Sequence, residues 1–155
     1  MIRHALRTDE TVRINSAIAS TESLSPPDAA GWNAIVASFA DASYDQTSAY
    51  GYAVWGKERV RHLIVRKKGE AVAAAQAILF RPAGLPRGLA YVKNGPLWIS
   101  KGGKPEPGNY DLVLETLVNE LVIASRLYLV VQPPAHPESS ALATAALRRA
   151  GFRLR

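Results

Sequence analysis

The chain has 155 residues, 48% of them apolar and 21% charged, the size and balance of one globular domain with a real core, which excludes a disordered chain. It has no cysteine, so disulfides, thiolate metal sites and a cysteine nucleophile are ruled out, and His4, His62 and His136 lack ligand spacing, so no metal is expected. The net charge of +6 is lopsided: residues 1–56 hold three basic and six acidic groups, residues 57–155 sixteen basic and seven acidic, a distribution that favours anionic partners.

No apolar run approaches the roughly 20 residues needed to span a bilayer. Met1 to Ala5 is not followed by the apolar stretch of a signal peptide, so a cytoplasmic location is expected. Residues 1–10 have no periodicity and read as a frayed, disordered or loosely docked end. Thr11 to Ser20 alternates imperfectly as a first strand. Pro26-Pro27-Asp28 opens a helix, with Asp28 as its cap, and Trp32, Ile35, Val36 and Phe39 carry it at helical spacing to about Ala40. Tyr44, Gln46, Tyr50, Tyr52 and Trp55 then lie among polar residues, around a short second helix near Thr47–Val54; a polar-aromatic stretch of this kind lines substrate clefts as well as cores.

Arg59–Lys68 and Ala71–Phe80 form a hairpin about the turn Lys67-Lys68-Gly69-Glu70. A third strand from Gly88 completes a meander of strands near ten residues each. This third strand is broken in mid-course: Leu89-Ala90-Tyr91-Val92 is followed by Asn94-Gly95-Pro96, and apolar residues resume at Leu97-Trp98-Ile99. Proline cannot donate to a ladder and glycine admits close approach, so the break predicts a bulge that re-aims groups at a site. Lys101-Gly102-Gly103-Lys104 is a basic, glycine-rich loop. Asn109 or Asp111 caps the next helix, with Leu114, Leu117 and Leu121 on its inner stripe and Asp111, Glu115 and Asn119 opposite. Leu127–Val131 is a short strand buried on both faces. A last helix opens at Pro137-Glu138, faces Leu142, Ala146 and Leu147 inward, and gives way at Gly151 to a strand stub starting at Phe152, whose open edge predicts a dimer.

The order β-α-(α)-β-β-β-α-β-α-(β) implies a single α+β domain over 1–155, a three-layer α/β arrangement with a mixed, mainly antiparallel sheet between helices. Trp32 with Phe39, Gln46-Thr47 with Tyr50, the run Gly69-Glu70-Ala71-Val72-Ala73-Ala74-Ala75-Gln76, and Ala90-Tyr91-Val92 followed by Gly95-Pro96-Leu97 carry a resemblance. Over residues 28–153 the chain resembles the GNAT acyltransferase fold, and more closely the N-terminal half of the FemAB-type (peptidoglycan-bridge aminoacyltransferase-like) family. Ala150-Gly151-Phe152 matches the point where such domains enter another strand, and the chain ends where the family's second half would begin.

The resemblance implies transfer of an acyl or aminoacyl group to an amine, with acyl-CoA or aminoacyl-tRNA as donor. It implies a donor wedge between the broken strand and Leu127–Val131, with Asn94, Gly95, Lys101, Gly102, Gly103, Lys104 and Asn109 holding the donor. Gln46, Tyr50 and Trp98 would line the acceptor cleft, and a second copy would stand in for the other half. The acetyl-CoA signature usual before the main helix is absent. No Asp, Glu or His has a base-like position, which leaves the hydroxyls of Tyr91 and Tyr128 as candidate acids. Two other readings stand beside the enzyme. One is a non-catalytic half-length domain that binds a partner protein or an anionic ligand. The other, direct nucleic-acid binding through Arg59, Arg61, Arg66, Lys67 and Lys68, is the less favoured, because alternation splits those charges between two faces.

Overall fold

The computed structural model describes residues 2–4, 19–24, 29–137 and 139–154. Seven strands form one mixed sheet in the order β2-β3-β4-β5-β6-β1-β7. They are β1 (Ile2–His4), β2 (Ala19–Leu24), β3 (Val60–Lys67), β4 (Glu70–Phe80), β5 (Leu89–Lys93), β6 (Tyr128–Gln132) and β7 (Phe152–Leu154). Every pairing is antiparallel except β5 with β6. The helices are α1 (Ala29–Ala37), α2 (Ser48–Trp55), α3 (Pro107–Leu117), which runs on as a π-helical segment Val118–Ala124, and α4 (Ser140–Arg149). The α+β architecture with helices on both faces of a mainly antiparallel sheet is thus the expected one.

Period-two alternation decides which residues meet which layer. Leu63 and Val65 of β3, Ala73, Ala75 and Ala77 of β4, Ala90 and Val92 of β5, and Leu129 and Val131 of β6 point one way, onto Tyr110, Val113, Leu114 and Leu117 of α3 and Ala143, Ala146 and Leu147 of α4. Ile64 and Ala74 point the other way, onto Trp32, Val36 and Phe39 of the α1 layer. Ala73, Ala74, Ala75 and Ala77 of β4 are wholly buried, so the small side chains in mid-sheet make room for helices on both sides.

The break in the third meander strand is a two-residue bulge. Val92 faces Ala77 and Leu97 faces Ala74, so five residue steps on one strand oppose three on the other. Pairing with β4 resumes fully at Leu97, whose N–H donates to Ala74 O at 2.8 Å while its carbonyl accepts from Ala74 N at 2.9 Å. Between the two registers lies the Gly95–Pro96 peptide, which is cis, and Asn94 with φ of 48°.

Several expectations are corrected. Ile2–His4 is not frayed but inserted between β6 and β7. Residues 11–18 of the expected first strand lie outside the described residues; the strand there begins at Ala19 and forms the far sheet edge, and Asp28 is likewise outside. Helix α1 ends at Ala37, and β5 has five residues where ten were expected. Helix α3 begins at Pro107 behind Glu106, so neither Asn109 nor Asp111 is its cap. Tyr128 in the run expected to be buried is 51% exposed, and Leu142, expected inward, is 41% exposed.

Candidate functional site

Strands β5 and β6 run parallel, and their carboxyl ends, Lys93 and Gln132, lie side by side. Ligands of sheets with helices on both sides collect at such ends, where the chain leaves the ladder and backbone groups lose strand partners. The bulge of β5 starts here, and Gly95 N–H extends the pairing once more, to Gln132 O at 3.1 Å. Beyond it opens a cavity of about 270 Å³ walled by Asp41, Ser43, Asn94, Pro134 and His136.

A polar cluster stands against this cavity on the α1–α2 side. The Lys93 ammonium pairs with the buried Asp45 carboxylate at 2.8 Å and donates to the Tyr50 hydroxyl at 3.0 Å. Asn94 Nδ2 donates to the second Asp45 oxygen, and the Tyr91 hydroxyl donates to Gln132 Oε1. Burial alone would raise the Asp45 pKa, but the bonds from Lys93 and Asn94 outweigh it and hold the carboxyl below its ordinary value. Its bonds to Asp45 and then to Tyr50 push the Lys93 ammonium above the lysine range. Burial raises the Tyr91 hydroxyl, against the opposing charge of Lys93. In the cavity wall, Asp41 accepts the N–H groups of Trp98 at 3.1 Å and Ile99 at 3.2 Å, yet its burial prevails and its pKa is raised. His136 Nδ1 is buried and has no hydrogen-bond partner.

The cluster is held from below by buried amides. Gln46 Oε1 accepts from Gln76 N–H of β4 at 2.7 Å, and its Nε2 donates to Lys93 O of β5 at 2.7 Å. The side-chain amide therefore does the work of a peptide group between the two strands where their own ladder has parted. Gln76 in turn bonds His62 Nε2 at 2.8 Å and donates to the carbonyls of Asp45 and Thr47, fixing the 44–47 turn to the sheet. His62 stacks on Trp32 at 4.0 Å, and burial lowers its pKa.

No protein-family model matches the sequence, nor does any curated protein. Solved structures do resemble it. FemX superposes with a TM-score of 0.66 at 19% identity, over 85% of this chain and 32% of FemX. An aminoglycoside acetyltransferase from an uncultured soil metagenomic sample gives 0.57 at 19% identity, over 88% of this chain and 93% of that one. An integron cassette protein from the mobile metagenome of V. cholerae gives 0.55 at 15%, over 90% and 88%. The fold is GNAT/FemAB-like. The chain spans about a third of the length of FemX.

Against this GNAT-like frame the sequence-expected residues separate. Asn94, Gly95, Tyr50 and Tyr91 come together at the ends of β5 and β6. Tyr128 does not: it pairs with Leu89 at the opposite end of the strands, about 13 Å from Lys93 at some 3.3 Å per residue. Gln46 is wholly buried and acts inside the sheet, not in a cleft, and Trp98 is a core side chain packed on Tyr110 at 5.2 Å. The close approach that Gly95 permits is that of Gln46: a Cβ there would lie 2.8 Å from Gln46 Cδ. Asn109 accepts from Lys67 Nζ at 2.6 Å, over the β3 end of the sheet and two strands from the β5–β6 seam. Lys101, Gly102, Gly103 and Lys104 form an exposed turn tied back by Lys101 N–H to Ser38 O at 2.9 Å. Sequence reasoning missed Asp41, Asp45, Lys93 and His136, none of which has a local motif. The Asp45–Lys93 pair arises from the docking of the 44–47 turn onto β5.

Proposed function

We propose that this GNAT-like domain transfers an acyl or aminoacyl group to an amine at the carboxyl ends of β5 and β6. The observation that carries the reading is the cavity of about 270 Å³ that opens where the only parallel pair among the described strands ends. A neutral amine placed there attacks the donor carbonyl; the carbon–nitrogen bond forms, the thioester or ester bond breaks, and the amine's proton passes to a base. His136 is assigned that role, because its imidazole lines this cavity beside Asp41. Lys101 and Lys104, exposed before α3, suit an anionic donor such as acyl-CoA or aminoacyl-tRNA. A homodimer fits this reading, with a second copy closing the site.

Titration with acetyl-CoA and with an aminoacyl-tRNA, followed by calorimetry and by turnover on a panel of amines, tests it. Binding of one donor is expected, with turnover reduced about 100-fold in His136→Ala while the fold is kept. Failure of both donors to bind at millimolar concentration overturns the reading. A second reading, a domain that binds without catalysis, is favoured by one observation: Tyr91, Lys93 and Asn94 are already engaged by internal partners. Donor binding without turnover, indifferent to His136→Ala, would select it.

A further inference from the structure

The pole of the sheet opposite the candidate site has a composition that acyl transfer does not use. Here the N-terminal ends of β3, β5 and β6 meet the C-terminal end of β4, as the pairs Val60 with Ile78 and Leu89 with Phe80 and Tyr128 require. Five arginines gather here, Arg59, Arg61, Arg81, Arg87 and Arg126, with Lys57 just before β3 as a sixth cation. Arg59, Arg61 and Arg81 line one groove of about 450 Å³, and Arg87 and Arg126 a second of about 510 Å³. Arg81, whose guanidinium reaches Ser125 O at 3.4 Å, joins the two. Among the described residues none of the five makes an ion pair, and Glu58 is the single carboxylate lining either groove.

Apolar side chains stand out of the same surface. Leu85, in the loop between β4 and β5, is 63% exposed, Ile123 in the second groove 62%, and Tyr128 51%. Val54 is 51% exposed beside Trp55, which packs on Phe80 at this pole. Four of the six large apolar residues exposed among the described residues are therefore gathered around five arginines that make no ion pair among those residues. The aromatic faces are not free for stacking bases: Arg87 covers Tyr128 at 5.6 Å, and Phe80 lies between Trp55 and Arg59. Aliphatic tips ringed by guanidinium groups match the boundary of an anionic bilayer, where apolar groups enter the acyl region and cations meet headgroup phosphates.

We infer that this pole docks the domain on an anionic lipid bilayer, with Leu85 and Ile123 inserted and the arginines on the headgroups. The inference is independent of the catalytic reading, since the site lies at the other pole. The test is flotation of the full chain with phosphatidylcholine vesicles, with and without about 30% of the anionic lipid phosphatidylglycerol. Capture by the anionic vesicles only is expected. Each surface arginine contributes about fivefold, so the doubly substituted Arg87→Gln, Arg126→Gln chain should lose about 25-fold in partitioning. Leu85→Ser with Ile123→Ser, both exposed and tolerable to the fold, should abolish the part of the binding that survives raised salt. No capture by anionic vesicles overturns the inference, as does capture that neither double substitution alters. A single-stranded RNA that binds through Arg87 and Arg126 while vesicles do not would assign the pole to nucleic acid and overturn it equally.

Discussion

Asp45 and Lys93 meet across the seam between the 44–47 turn and β5, and their pair is the strongest electrostatic feature of the candidate site. The Asp45 side chain is fully enclosed, whereas Lys93 keeps a solvent-facing part, so loss of the carboxylate lets the ammonium recover some hydration. Asp45→Asn is therefore expected to cost about 1.5–3 kcal/mol at pH 7, the range for hydrogen bonds to a charged group. The sign with pH follows from the lowered pKa of Asp45: its contribution is complete above the unfolded value near 3.8 and is lost as pH falls through the lower folded value. Urea unfolding of both chains should show a full gap at pH 5 that narrows toward pH 3. A gap that stays constant would mean the charge is not its source. Neither residue could be picked from the sequence, because single Asp and Lys residues separated by a helix and a hairpin carry no pattern. Asn94 and Gly95 could be picked, because Asn-Gly-Pro inside an apolar strand contradicts its surroundings.

At the level of elements, the bulge of β5 is held open by a side chain. Gln46 fills the gap, and the missing side chain of Gly95 leaves it the space. Gly95→Ala should cost about 1–3 kcal/mol, the usual penalty for overpacking, since Gln46 is fixed by bonds to both strands and cannot yield. Gly31→Ala, on an exposed helical position with nothing within 4 Å, should be neutral or stabilising by up to about 1 kcal/mol. Comparing the two in chemical denaturation checks the claim; equal effects would discard it. The elements themselves were readable where the period is strong: β3, α1 and the inner stripe of α3 fall where alternation and helical spacing place them, while β4 was placed by the hairpin turn before it. What periodicity did not contain was the end of each element. Helix α3 starts early because Pro107 suits a first helical turn, and β5 stops early because its ladder partner is replaced by Gln46.

The whole molecule has a polar cavity at one end of its central strands and an arginine-rich, apolar-tipped surface at the other. Among the described strands one sheet edge is β7, a three-residue strand that pairs with β1. An open edge of this kind is a template for another strand, so a dimer joined through Phe152–Leu154 is expected in sedimentation at tens of micromolar. A monomer at every concentration would remove the dimer and leave the site as one chain builds it. Overall topology was legible because the broken strand and the crossover through α3 together admit few arrangements. The insertion of Ile2–His4 was not, since a three-residue strand is too short to show alternation.

The bulge also sets a rule for how this part of the chain can lengthen or shorten. Because two residues are added opposite β4, and not one, the inward and outward alternation of the strand survives the break: Leu97 still joins Trp32 and Phe39, and Trp98 still joins Tyr110. An odd number of residues gained or lost between Lys93 and Leu97 would exchange those two side chains between layers of different depth. An even number would leave each in its own. Length variation at this point is thus constrained by parity, whatever the substituted residues are.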